Sequence, residues 1–252
     1  MAIFVWTTYN FPMAQISNNE IKFVRSLSSK KFRDESGMFI VEGEKMVREA
    51  MASRFEVVNV YRRDEIGEEA MSRISQLSSP SPVLAVVRKP SDIENGEATI
   101  GSGLYLALDS IRDPGNLGTI LRIANWFGIS ALLASSDCVD LYNPKVIQAS
   151  MGSAFRVDVQ YCCLADRLRE AARLGMPVYG TFLDGQNIYE ASLSANGIIV
   201  MGNEGHGILP DTEALISRRL SIPAGAPPSM APESLNVSAA AAVVCSEFFR
   251  RK

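Results

Sequence analysis

Short apolar runs and amphipathic stretches alternate along this chain in two series, separated by a polar interval at 89–103. In the first series a helical pattern, NNEIKFVRSLSS, precedes an extended run, GMFIVEG, and a second helix, EKMVREAMAS. FEVVNVY, GEEAMSRISQL and PVLAVVR then read as strand, helix and strand. The pattern predicts a small α/β unit over 17–88. The interval itself, KPSDIENGEATIGSG, is rich in Gly, Ser, Asp and Glu and has no apolar periodicity, so it reads as a linker.

The second series runs from 104 to 252. LYLALD leads into a helix containing Asn116, ISALLAS into a helix starting near Asn143, and FRVDVQ into LADRLREAARLG. PVYGTF, GIIVMG, the helix PDTEALIS, the strand RLSIP and a terminal helix from about Ser234 complete it. Uniformly apolar strands interleaved with helices predict an α/β fold with a mostly parallel sheet covered on both faces. Residues 1–16 carry neither a basic leader nor a small-residue cleavage site, and their apolar run is too short to span a bilayer. They read as a loose arm, or as an extension ahead of the more ordinary sequence at Met13. A cytoplasmic protein is the expectation.

Composition narrows the chemistry. A hydrophobic fraction of 47% supports a real core, and a net charge of −3 gives no global signal for nucleic acid, so any RNA contact must rest on local patches. The four cysteines have no C-x-x-C spacing and there is one histidine, so no metal site is expected. One cationic patch does stand out: Lys22, Arg25, Lys30, Lys31 and Arg33 follow one another without an intervening acid. It suits phosphate contact, and equally a solvated helix face.

Three segments can carry chemistry. DSIRDPGNLGTILRIANWFG (109–128) is a turn leading into a helix, with Asn116 a candidate helix cap and Arg122 six residues later. A guanidinium there can hold a phosphate or a developing oxyanion through its forked donors. An ordinary strand-to-helix connection with a solvated arginine gives the same pattern. GIIVMGNEGHG (197–207) places Glu204 and His206 among glycines that let backbone approach a ligand, but lacks the dinucleotide fingerprint G-x-G-x-x-G. A nicotinamide-dependent oxidoreductase is therefore disfavoured. RLSIPAGAPPSMAPESLNVSAAAAVV (219–244) ends a strand, crosses a Pro- and Gly-rich loop and enters an Ala-rich helix at Ser234-Leu235-Asn236.

Together the three segments resemble the SpoU/TrmH family of RNA 2′-O-ribose methyltransferases. DPGNLGTILRIANWFG is similar to the family's first motif, IIVMGNEGHG to the second and SLNVS to the end of the third, while YNPKVIQASMGSAF looks like the segment between the first two. The resemblance covers roughly 104–249, and 17–88 resembles, less sharply, a ribosomal-protein-like RNA-binding domain. One departure is the loop 222–235, longer than the usual form by a few residues.

The resemblance implies a SPOUT-type, trefoil-knotted parallel sheet over 104–252, which no periodicity shows and which general topology disfavours. It implies S-adenosylmethionine held by backbone at Gly202, Ile222 and Leu235, with Ser234 nearby. It also implies a site organised by Asn116, Glu204 and Asn236, with Arg122 acting on the ribose 2′-oxygen. Because a guanidinium stays protonated at ordinary pH, Arg122 is read either as a base with a greatly depressed pKa or as a stabiliser of the emerging alkoxide. Asn116 and Asn236 also suit plain helix caps. The implied substrate is RNA, with rRNA favoured over tRNA on the strength of the amino-terminal unit, and the implied assembly is a homodimer. A non-catalytic assembly factor of the same fold is the alternative from another class.

Overall fold

A computed structural model describes residues 16–90, 100–226 and 233–251. The expected arm over 1–16 lies outside these apart from Ile16, as does most of the expected linker. The chain divides into two compact units, Met1–Lys89 and Pro90–Lys252.

The first unit contains α1 (Asn18–Ser26), α2 (Lys30–Ser36), β1 (Met38–Glu42), α3 (Glu44–Met51), β2 (Val57–Arg62), α4 (Arg63–Ile66), α5 (Glu68–Ile74) and β3 (Val83–Arg88). Its sheet is antiparallel in the order β1-β3-β2. Ile21 and Val24 of α1 lie one turn apart, and with Leu27, Met71 and Ile74 they bury against Ile40, Leu84 and Val86 of the sheet. The sequence pattern does not anticipate α2, because its apolar content is low and the residue turned inward is an arginine. Arg33 is 2% exposed, and its Nη1 donates to the carbonyls of Leu27 at 2.9 Å and Ser28 at 2.8 Å. These are carbonyls that the end of α1 leaves without helical donors. Arg33 is thus a buried bracket between two helices. The expectation that it contacts RNA is corrected, since its guanidinium is turned away from solvent.

The second unit contains β4 (Leu104–Leu108), α6 (Pro114–Phe127), β5 (Leu132–Ala134), α7 (Pro144–Ser150), β6 (Val159–Tyr161), α8 (Leu164–Arg173), β7 (Val178–Asn187), β8 (Gly197–Met201), α9 (Pro210–Glu213), β9 (Arg218–Ser221) and α10 (Val237–Arg250). Six strands pair in the order β6-β5-β4-β8-β7-β9, every pairing parallel. From β4 the chain first builds outward through β5 and β6, then places β8, β7 and β9 on the other side. The boundary between β4 and β8 is therefore a topological switch point, where open α/β sheets present sites at the carboxyl ends of their strands.

Every residue of β4 and β8 is buried, which requires cover on both faces. On one face Leu164, Leu168 and Ala171 of α8 pack with Tyr105, Ala107, Val178, Ile198 and Val200. On the other, Phe248 of α10 meets Tyr179 edge-to-face at 4.9 Å between ring centroids. On that side α6 packs against α10 and α7. Gly118 permits the α6–α7 approach, because a Cβ there would collide with Cβ of Ala149.

Two expectations shift by a few residues. Ile100, at the end of the expected linker, is buried in the α8 core, and its N–H donates to Glu170 Oε1 at 3.3 Å. The described residues 100–103 thus pack with the second unit, because Ile100 is drawn in with Tyr105. The terminal helix starts at Val237, three residues after Ser234, because Asn236 caps it. The parallel sheet with flanking helices, preceded in the chain by an α/β unit, agrees with the α/β pattern of the sequence. Of the loop 222–235, residues 227–232 lie outside the described residues. Among the described residues no helix is long and apolar enough to cross a membrane.

Candidate active site

The site begins where β4 and β8 end. Asp109 follows β4 directly and is 1% exposed. Its N–H donates to Met201 O at 2.9 Å, and its Oδ2 accepts from Leu209 N at 2.9 Å. Asn203, just past β8, reaches back from Nδ2 to Ser110 O at 2.7 Å. Neighbouring strand ends are thereby cross-linked through a buried carboxylate and an amide. Neither Asp109 nor Asn203 stands out in the sequence pattern. The available signal is a charged residue at the end of a wholly apolar strand, since such a group must find donors when buried.

The turn after β4 enters α6 through Asp113, whose Oδ1 accepts from Asn116 N at 2.8 Å, with Pro114 in the first turn. Asp113, not Asn116, is the cap. The Asn116 side chain is left free for tertiary bonds, and it forms two. Its Nδ2 donates to the Glu204 carboxylate, and its Oδ1 accepts from Asn236 Nδ2 at 3.0 Å. Asn236 also caps α10, its Oδ1 accepting from Ser238 N at 3.0 Å and Ala239 N at 3.3 Å. The capping and site roles of Asn236 therefore coexist, because its two side-chain atoms face different partners. All three sequence motifs meet at Asn116.

Glu204 sits at the tip of a loop closed by reciprocal backbone bonds between Asn203 and Gly207, at 3.0 and 2.9 Å. Gly202 is required there, since a Cβ would run into the backbone of Gly207 and Ile208. This loop walls a cavity of about 620 Å³, and Gly202, Ile222, Ser234 and Leu235 all line it. Met201, Ile208 and Val237 add apolar surface, while Glu204, Glu233 and His206 add polar groups.

The opposite wall is one that the sequence does not disclose. Thr181 and Gln186 of β7 both register with Leu220 of β9, so Phe182, Leu183, Asp184 and Gly185 are looped out between them. Phe182, Leu183 and Asp184 line the cavity. PVYGTF reads as an ordinary strand, and only its pairing with β9 reveals the excursion.

Arg122 is not drawn into this cluster. It is exposed on α6, does not line the cavity and has no hydrogen-bond or ion-pair partner among the described residues. Six residues beyond Asn116, it lies about 9 Å farther along the helix axis. In the first unit Lys22 and Arg25 are exposed on α1 with no side-chain partner among the described residues. Lys30 and Lys31 are exposed too, and pair with Asp34 at 2.5 Å and Glu35 at 3.9 Å. Among the described residues no three His, Cys, Asp or Glu side chains gather as a metal site would require.

A parallel sheet with a walled cavity beside β7 and the carboxyl ends of β8 and β9 defines a small-molecule-binding α/β domain. The chain belongs to the SpoU rRNA Methylase family, whose model matches residues 103–246. Residues 18–89 match the MRM3-like substrate binding domain. A TrmH-family RNA methyltransferase structure from Porphyromonas gingivalis is 40% identical and superposes with a TM-score of 0.84, covering 95% of this chain and 100% of that one. The AdoMet-bound rRNA methyltransferase from Sinorhizobium meliloti is 26% identical, with a TM-score of 0.81 over 93% of this chain and 95% of that one. The Bacillus subtilis 23S rRNA (guanosine(2553)-2′-O)-methyltransferase RlmP is 29% identical over 243 residues, 90% of this chain and 94% of its own.

Proposed function

We propose that this chain transfers a methyl group from S-adenosylmethionine to a ribose 2′-hydroxyl of rRNA. The observation that carries the reading is the meeting of Asn116, Glu204 and Asn236 beside a cavity lined by Gly202, Ile222, Ser234 and Leu235. At about 620 Å³ the cavity lies in the range of small-molecule sites. Its apolar walls suit a flat heterocycle, and the carboxylates of Glu204 and Glu233 suit a cationic sulfonium. When bound, S-adenosylmethionine supplies an electrophilic methyl, so that a carbon–oxygen bond to the ribose forms as the carbon–sulfur bond breaks.

The work left to the protein is alignment and charge control. Glu204, Asn116 and Asn236 hold one another in fixed rotamers and so fix the mouth of the cavity. Arg122, with no partner among the described residues, has its donors available for the emerging 2′-oxyanion and a neighbouring phosphate, while the hydroxyl proton leaves to solvent. This stabilising role asks less of a guanidinium than abstracting a proton does. Lys22, Arg25, Lys30 and Lys31 are assigned to rRNA phosphates, without Arg33. The resemblance to rRNA enzymes on both units favours rRNA over tRNA.

The protein is further proposed to act in the cytoplasm as a homodimer. Trp126 of α6 is 83% exposed and Phe249 of α10 is 55% exposed, an apolar surface that a second copy would cover. Sedimentation of wild type and Trp126→Lys tests this, and a monomer at all concentrations for wild type would overturn it. The activity is tested by calorimetry with S-adenosylmethionine and by mapping 2′-O-methylation in cells with and without the gene. Saturable binding and loss of one rRNA methyl group are expected. No binding would sink the enzyme reading, and loss of a tRNA methyl group instead would replace the substrate.

A further inference from the structure

The tip of the excursion Phe182–Gly185 has little packing of its own to keep its shape. Leu183 is 76% exposed, and the Asp184 side chain is also 76% exposed. Four residues outside the strand pairing lose their ladder bonds, and an exposed segment of this kind is expected to sample several conformations. Yet it forms one wall of the cavity.

Its base is held by Phe182, packed against the core of the sheet, and by Ser221 Oγ, which donates to Gly185 O at 2.8 Å, while one further side chain reaches its tip. Arg219 of β9 lies with its Cζ 3.5 Å from the centroid of the Phe182 ring. Its Nη2 donates to Asp184 Oδ1 at 2.6 Å, and its Nη1 donates to the Glu213 carboxylate at the end of α9. A single planar guanidinium thus touches two of the four looped-out residues and is itself tethered to a third element. Arg219 does not line the cavity, whereas Phe182 and Asp184 do. The hydrogen bond from Arg219 also holds the Asp184 carboxyl below the usual carboxylate range.

We infer that Arg219 is a positioning residue for cofactor binding: it fixes the 182–185 wall by stacking on Phe182 and pairing with Asp184 while anchored to Glu213. This role presupposes that the cavity is the S-adenosylmethionine site. An isolated exposed ion pair contributes little, because ordering two long side chains offsets the Coulomb gain. Here one ordered guanidinium serves two carboxylates and a ring, so the ordering cost is shared among three contacts. A lysine can reach one carboxylate or the ring but cannot fork between both acids. Arg219 is therefore not exchangeable for lysine.

The test is calorimetric affinity for S-adenosylmethionine in the full chain. Arg219→Met, which keeps an apolar stem over Phe182, is expected to raise Kd about tenfold, and Arg219→Lys about threefold. The melting temperature and the RNA KM should stay near wild type. Asp184→Asn should weaken binding in the wild-type background and add nothing in Arg219→Met, because Asp184 would act through Arg219. A Kd within twofold of wild type for Arg219→Met overturns the inference. So do additive effects of the two substitutions, or a parallel fall in melting temperature and RNA affinity. Failure of wild type to bind would instead overturn the cofactor reading itself.

Discussion

Arg33 of the first unit and Arg122 of the other are equivalent by local pattern, each a cation among helical residues. The fold treats them in opposite ways. Arg33 is buried, with its guanidinium spent on the carbonyls that end α1. Arg122 is exposed and has no partner among the described residues. A saturated guanidinium is structural material, whereas an unsatisfied one keeps its donors for a ligand. What separates them is not charge or spacing but whether acceptors surround the side chain once the chain has folded.

Three substitutions or titrations press on that contrast. The largest effect is expected from Arg122→Ala, which should slow methyl transfer by about 10²–10³-fold, the scale of losing a stabiliser of developing charge. Single-turnover kinetics and calorimetry would check it: the Kd for S-adenosylmethionine and the melting temperature should stay near wild type. Loss of cofactor binding would place Arg122 in the cavity or the fold instead.

Arg33→Met should do the reverse. It leaves two carbonyls at the end of α1 without their charged donor, which costs about 3 kcal/mol. Denaturant unfolding followed by a probe in the first unit reads this, while cofactor affinity stays unchanged. A neutral effect on stability, with weaker RNA binding, would return Arg33 to the contact surface.

The smallest effect is expected at the end of α10, where the partner of the arginines can titrate. Glu247 accepts from Arg250 Nη2 at 2.7 Å and Arg251 Nε at 2.6 Å. The hydrogen bond from Arg250, with help from Arg251, depresses its carboxyl to about 2 from an ordinary 4.5. A lowered folded value means that this contribution is complete above about pH 4.5 and is lost as pH falls through about 2. Hydrogen exchange at the end of α10 should therefore be steady, after correction for intrinsic rates, from about pH 8 to about pH 5 and loosen only below about pH 4. The bonds from Arg33 to the carbonyls of Leu27 and Ser28, by contrast, involve acceptors that do not titrate in this range. Loosening between about pH 8 and about pH 6 would contradict the assignment.

Much of the fold was legible along the chain because it rests on local periodicity. Wholly apolar strands alternating with helices pointed to a parallel, doubly covered sheet, and β4 and β8 are buried at every position. The Asp113–Pro114 and Asn143–Pro144 starts of α6 and α7 follow from capping chemistry written in adjacent residues. The three motifs were legible as a family pattern; the second and third line one cavity, and Asn116 of the first bonds Glu204 at its edge. Less legible was which residue caps α6, since Asp113 and Asn116 both suit the role by type.

Local sequence was enough to set the parts: apolar runs long enough for strands, turn residues that start helices, and a candidate site set dispersed from Asn116 to Asn236. Those features depend on neighbours within a few residues, so they survive in one dimension. Everything else waited on long-range packing. It turned Arg33 inward, freed Asn116 to join Glu204 to Asn236, and looped Phe182–Gly185 out of β7 by pairing both ends with Leu220. Each of these is set by groups outside the local pattern, through burial, acceptor supply or strand register. A cation, an amide or a strand carries no local mark of the partner it will meet.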